Sequence, residues 1–262
     1  MFFTTEITSK KNHSDRVLYH RTTKAYSLVS ASLKGKVLEI GCGEGYGIEW
    51  LQNPTLDYTG VDKNPFVLSN LRKKYPDLSF IEHTAPRLEI FENQSFDTII
   101  CFQFVEHIED YTLLVNELLR IVKSDGIIFL TTPNKKFTLI RNPWHFVEFD
   151  AMKLKNLLNT FPCTYDLMGI NGSARAMHYF EQNFDRNKAL LRWDIFNFHR
   201  KLPSNIYKRL YEIGNRINRY ILYFSNKKIV NEITLEDYTL GAVNPLTLDF
   251  FVSICPTTKK KI

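Results

Sequence analysis

The sequence has little that would set it apart from ordinary globular chains. Cysteine is scarce: Cys42, Cys101, Cys163 and Cys255 are the only four in 262 residues, and no two form a CxxC pair. That excludes a disulfide scaffold and a thiolate metal cage, and reads as the reduced thiols of a cytoplasmic protein. No apolar run approaches the ~18 residues of a membrane span. The start, Met1-Phe2-Phe3-Thr4-Thr5-Glu6, carries an acid at position 6 and no apolar core, which argues against a secretory signal. Glycine (11) and proline (10) are too few for a fibrous or low-complexity chain. Neither sign of charge dominates, since 34 basic and 28 acidic residues leave +6. What remains is a chain with 44% hydrophobic and 24% charged residues, long enough to bury a core without cross-links.

Apolar runs and helical periods alternate along the first two thirds, which argues for a parallel sheet covered by helices. Residues 14–33 read as an amphipathic helix. Strands are expected at 36–40, 58–61, 78–81, 96–102 and 126–132, and helices through Leu51 and over 64–75, 110–122 and 150–160. The run FDTIICF (96–102) is apolar after Asp97, as in a strand buried on both faces. Two further strand candidates, 164–170 and 248–255, stand far apart. The intervening 171–245 reads as a mostly helical insertion. Within it, Ser204 is placed to cap a helix whose Ile206, Leu210, Ile213, Ile217, Ile221 and Phe224 form one apolar stripe. The stripe is expected to pack on the main body. Residues 171–230 hold twelve basic and four acidic residues, so they carry all of the chain's positive excess, together with many aromatics.

The turn Gly41-Cys42-Gly43-Glu44-Gly45-Tyr46-Gly47 joins a strand to a helix. Glycines there let the backbone approach a ligand, and a helix start offers free N–H groups. Asp62, ending the second strand 21 residues after Gly41, is placed to accept from ribose hydroxyls. Such a turn suits a dinucleotide or S-adenosylmethionine. Three details favour the second. Tyr46 stands where a dinucleotide fingerprint has its third glycine. Glu39 and Glu44 would repel a pyrophosphate and favour an ammonium and a sulfonium. A single ribose needs only one acid, Asp62.

The segments VLEIGCGEGYG (37–47), GVDKN (60–64), SFDTIICFQFVEHIED (95–110) and LLRIVKSDGIIFLTTPN (118–134) resemble the successive motifs of class I S-adenosylmethionine-dependent methyltransferases. Within that class the likeness is to the type 11 small-molecule group. It covers roughly 15–170 and the last strand. The resemblance implies a Rossmann-like, doubly wound α/β sheet of seven strands in one domain over 1–262. The last strand would be antiparallel between the fifth and sixth, and residues 14–33 would form a lid helix, with Tyr19 and His20 over the site. It places Glu39, Gly41, Cys42 and Gly43 around the methionine part, Asp62 at the ribose and Lys63 beside the adenine. Thr84 and Ala85 stand at the adenine edge, where Thr84 replaces the family's acid. Phe102 and Gln103 would close over the methionine end.

Methyl transfer is an in-line displacement, so alignment of the acceptor supplies most of the rate. A hydroxyl acceptor also needs a base. Glu106, His107, Asn134, His145 and Glu148 fall at the carboxyl ends of the fourth and fifth strands, where such sheets bind ligands. Of these, His145, next to Trp144, is the preferred base, with Glu106 and His107 as further catalytic candidates. Small-RNA and ubiquinone-pathway O-methyltransferases resemble this stretch but carry another acid near position 103. Gln103 is a poor ligand for a hard ion, so no metal is expected. The expected function is S-adenosylmethionine-dependent methylation, at oxygen, of a small molecule or a glycan or lipid precursor. The alternatives are a non-catalytic docking module that keeps the fold, or an RNA methyltransferase. The insertion is read first as a packed cap, next as a holder of an anionic acceptor or a membrane contact, and last as an RNA-binding surface.

Overall fold

The computed structural model describes residues 8, 12–51, 53–138, 140, 142–193 and 203–257. Asp194, Phe196, Phe198, Arg200 and Lys201 of the basic segment lie outside the described residues. The chain opens with α1 (Arg16–Val29), followed by β1 (Lys36–Ile40), the short α2 (Ile48–Leu51), β2 (Asp57–Asp62), α3 (Pro65–Lys74), β3 (Ser79–Glu82), β4 (Phe96–Phe102), α4 (Tyr111–Ile121), β5 (Val122–Pro133) and α5 (Ala151–Leu158). Then come β6 (Cys163–Gly172), α6 (Ala174–Trp193), α7 (Ser204–Ser225), α8 (Lys227–Glu232), β7 (Tyr238–Gly241) and β8 (Thr247–Pro256).

Helix starts follow local chemistry. Asn64 accepts from the N–H groups of Phe66 and Val67, with Pro65 in the first turn of α3. Asp110 and Asp150 accept from Leu113 N–H (2.9 Å) and Lys153 N–H (2.8 Å) to begin α4 and α5. Helix α7 departs from expectation. Ser204 is its first helical residue, and Pro203, whose side chain has no acceptor, takes the cap position.

One sheet runs in the order β3-β2-β1-β4-β5-β8-β6-β7. Its first five strands are parallel, and β8 lies antiparallel between β5 and β6. Two buried clusters cover its faces. The architecture is the Rossmann-like one expected, with eight strands in place of seven. The addition is β7, antiparallel to β6. Thr234 and Asp237 form a reciprocal cap that turns the chain into it, and buried Tyr238 donates to Val17 O at 2.8 Å. A four-residue strand is too short to show a period in sequence. Strand β5 also starts at Val122, before a bulge opposite Phe96–Thr98, and not at Gly126.

The apolar stripe of α7 does not pack on the main body. Ile213 is 57% and Phe224 72% exposed, and Ile206, Leu210, Ile217 and Ile221 are exposed too. The helix docks by its other side. Glu212 accepts from Trp144 Nε1 (2.8 Å), Arg216 donates to Asp15 (2.9 Å), Asn218 donates to Asn183 (2.6 Å), and Leu222 is buried. Periodicity gives a helix's apolar face. It does not say whether specific polar contacts will hold the opposite face instead.

Candidate active site

The glycine turn follows β1 directly. Gly41 and Gly43 have φ of +74° and +49°, a region costly for any residue with a Cβ. A Cβ on Gly41 would lie 2.2 Å from the Phe104 ring, whereas one on Gly43 would meet nothing nearer than 3.9 Å. The turn therefore leaves an open cradle beside Gly43 and is closed by Phe104 at Gly41. Gly41 and Cys42 donate to Val61 O (2.8 and 3.0 Å), which ties the turn to β2. Asp62 accepts from Gly43 N–H (3.0 Å) and Asn64 N–H (2.9 Å), one on each oxygen. Each of those oxygens keeps a second lone pair for a ligand.

Glu39 is buried under the turn. It accepts from the hydroxyls of Tyr26 on α1 (2.6 Å) and Tyr58 on β2. Burial pushes its carboxyl from the usual 4.5 up to about 7, against the two hydrogen bonds that favour the charged form. The proton is thus held more tightly in the folded chain than in the unfolded one. Glu39's contribution is fully present below pH 4.5 and is lost as pH rises through about 7. Its full extent is on the order of 3 kcal/mol. Urea titrations between pH 4.5 and 7.5 are expected to show stability falling across this window, and the slope to flatten in Glu39→Gln. An equal slope in the variant would contradict the assignment.

A cavity of about 450 Å³ opens beside the turn. Of the residues expected at the cofactor, it brings together Gly41, Asp62, Lys63, Thr84 and Ala85, and His107 from the acceptor side. Others lie off its walls. Cys42 is buried in the core, where burial raises its thiol pKa and keeps it protonated. Phe102 packs in the core on Tyr26, with ring centroids 4.9 Å apart. Gln103 turns its amide to Thr131 Oγ1 (3.2 Å) and Asp249 Oδ1 (3.4 Å). Phe104 and Phe146 line the cavity, and sequence reasoning passed over both. Phe104's signal was its place two residues beyond β4, and Phe146's was its place next to His145.

The acceptor candidates converge. The His107 and His145 rings meet edge to face, with centroids 4.7 Å apart. Buried Glu106 accepts from Thr132 Oγ1 at 3.0 Å. Trp144 O can only accept, so His107 Nδ1, 3.1 Å away, carries the proton and the neutral ring's lone pair sits on Nε2. Trp144 N–H donates to Asn142 Oδ1 (3.0 Å), which turns Asn142 Nδ2 to donate to His145 Nε2 (2.9 Å). Ligating atoms of Glu106, His107 and His145 lie within 4.8 Å of one another. Two imidazoles and a carboxylate are a donor set that suits a borderline transition ion.

Helix α1 lies over the turn, with Tyr19 buried and edge-on to Tyr46 at 6.2 Å. Arg21 holds it in place by pairing with Asp249 of β8 through two nitrogens and donating to Leu248 O at 2.9 Å. No sequence motif announced that pair, whose partners are 228 residues apart.

Residues 38–130 match the family model described as a methyltransferase domain. This stretch is similar to a methyltransferase domain. A probable S-adenosylmethionine-dependent methyltransferase of Mycolicibacterium smegmatis is 30% identical over 148 residues, covering 54% of this chain and 57% of the relative. A ubiquinone biosynthesis O-methyltransferase of Paracidovorax citrulli is 32% identical over 111 residues, covering 40% and 47%. The chain thus spans about half the length of these curated relatives. Among solved structures, a methyltransferase of Thermotoga maritima, described as a possible histamine N-methyltransferase, superposes with a TM-score of 0.57 at 12% identity, covering 92% of each chain. It shares the fold. The matched residues end within β5, so α6, α7 and β7 lie beyond them.

Proposed function

We propose that the protein is an S-adenosylmethionine-dependent methyltransferase that methylates a small-molecule acceptor at oxygen, with the His107–His145 pair as its base. The observation that carries this reading is the meeting of the Asp62 cradle and the His107 imidazole on one cavity of about 450 Å³. That volume falls within the ~300–1,000 Å³ usual for small-molecule sites. The cradle fits the cofactor. Asp62 has a lone pair on each oxygen for the two ribose hydroxyls, and the space beside Gly43 admits the chain of a methionine part. Lys63, Thr84 and Ala85 flank the base. When bound, S-adenosylmethionine supplies an electrophilic methyl group on a sulfonium.

The chain's own residues then do three things. Phe104 and Phe146 give the cavity apolar walls that exclude water from the acceptor. His107, oriented by Trp144 O, offers Nε2 to the proton of an acceptor hydroxyl. His145, held by Asn142, braces the His107 ring edge-on. Relatives named ubiquinone biosynthesis O-methyltransferases support oxygen as the acceptor atom.

The test is incubation with methyl-labelled S-adenosylmethionine and a panel of phenols, sugars and amines. Label on a hydroxyl acceptor is expected. His107→Ala should lower its kcat about 10²–10⁴-fold, and His145→Ala less. Label on amines alone, or a His107→Ala enzyme at full rate, would overturn the oxygen reading.

A further inference from the structure

Helix α7 is 22 residues long, and its exposed apolar residues lie on the side away from its contacts. Ile206, Leu210, Ile213, Ile217, Tyr220 and Phe224, spaced alternately by four and three residues, all face solvent. A Cβ on Gly214 in the middle of the helix would meet nothing within 4 Å, so the space beside the stripe is open. Seven such residues in a row, counting Ile221, exceed the scatter of single apolar side chains normal on a surface.

The charges select the occupant. The only acid in α7 is Glu212, and it is turned inward to Trp144 Nε1. Arg209 is exposed and spaced three and four residues from Ile206 and Ile213, which puts it on the stripe's border. Lys227 and Lys228, exposed at the start of α8, follow the end of the stripe. The enclosing segment 171–230 holds the chain's whole positive excess. A second copy of α7 fits less well. The spacing is that of a two-stranded seam, but its flanking positions carry Tyr207, Gly214 and Ile221 on one side and Arg209, Arg216 and Tyr223 on the other. No acid stands there to pair with an arginine of the partner helix. Among the described residues no helix is long and apolar enough to cross a membrane.

We propose that α7 is an interfacial docking helix that lies on an anionic lipid surface, with its Ile/Phe stripe among the acyl chains and its cations at the headgroups. The same helix grips the acceptor loop: Lys208 Nζ sits 4.2 Å from the Trp144 ring centroid, and Glu212 accepts from that indole. Docking would therefore carry the acceptor loop on the helix's other side, about 10 Å from the lipid surface.

The test is sedimentation of the full chain with vesicles of phosphatidylcholine alone or mixed with phosphatidylglycerol, without cofactor. Because no methyl transfer is read, failure here is distinct from failure of the enzyme reading. Binding to the phosphatidylglycerol vesicles is expected, weakened by salt, and weaker on phosphatidylcholine. The double variant Ile213→Asp/Ile217→Asp should lose at least about tenfold in affinity with an unchanged thermal midpoint, since both residues are solvent-facing. Lys227→Glu/Lys228→Glu should weaken only the anionic-vesicle binding. No sedimentation with anionic vesicles, equal binding by the Ile213→Asp/Ile217→Asp chain, or a wild-type dimer that this variant dissociates would each overturn the proposal. The last outcome would assign the stripe to a second copy.

Discussion

Asp62→Ala is expected to weaken binding of S-adenosylhomocysteine about a hundredfold, with little change in global stability. Two effects add. The ribose hydroxyls lose a charged acceptor, each such hydrogen bond being worth ~1.5–3 kcal/mol. The Gly43 and Asn64 N–H groups lose the partner that sets the turn. Asp62 is partly exposed at the rim of the cavity, so water can satisfy those N–H groups and the fold survives. Calorimetric titration of wild type and variant measures the effect directly. A change below about threefold would mean that the carboxylate holds only the backbone and no ribose.

The largest effect on stability is expected from Asp249→Ala. The Asp249 side chain is 1% exposed and its partner Arg21 only 14%. Burial alone disfavours the guanidinium charge, and Asp249 more than offsets this, holding Arg21 above its ordinary value. Removing the carboxylate leaves a cation buried between Leu248 O and the Phe180 ring, whose centroid is 5.2 Å away. Breaking such a pair from one side costs ~3–5 kcal/mol. Urea unfolding of the variant should show that loss, together with weaker ligand binding, because Arg21 helps to fasten α1 over the glycine turn. Replacing both partners with apolar residues, Arg21→Met with Asp249→Leu, should recover much of the stability. A loss under about 1 kcal/mol in Asp249→Ala would show that solvent reaches Arg21.

The parallel half of the fold was legible because each of its signals is local. β1 and β4 have the predicted bounds, since a run such as FDTIICF has no amphipathic alternative. The antiparallel place of β8 followed from a family resemblance, not from any pattern in its residues. The cavity beside the turn was legible where a residue type stands at a fixed offset, as with Gly41 and Asp62, which both line it. It was less legible where side-chain direction decides. Phe102 and Phe104 are both aromatic near the end of β4, and only the structure turns the first into the core and the second onto Gly41. The Arg21–Asp249 pair and the Tyr26–Glu39–Tyr58 cluster join elements distant in sequence, so no spacing encodes them. The α7 stripe misled for a related reason. A hydrophobic period names a face that avoids water, and three polar contacts to Trp144, Asp15 and Asn183 settle which face meets the protein.

The cradle between the glycine turn and Asp62 is proposed to hold S-adenosylmethionine. Its most direct test is calorimetric titration of the purified, cofactor-free chain with S-adenosylhomocysteine. Saturable binding of about one ligand per chain is expected, as one cradle on this cavity requires. Absence of binding in a chain whose folding is verified by cooperative unfolding would contradict it and reduce the glycine turn to a scaffold.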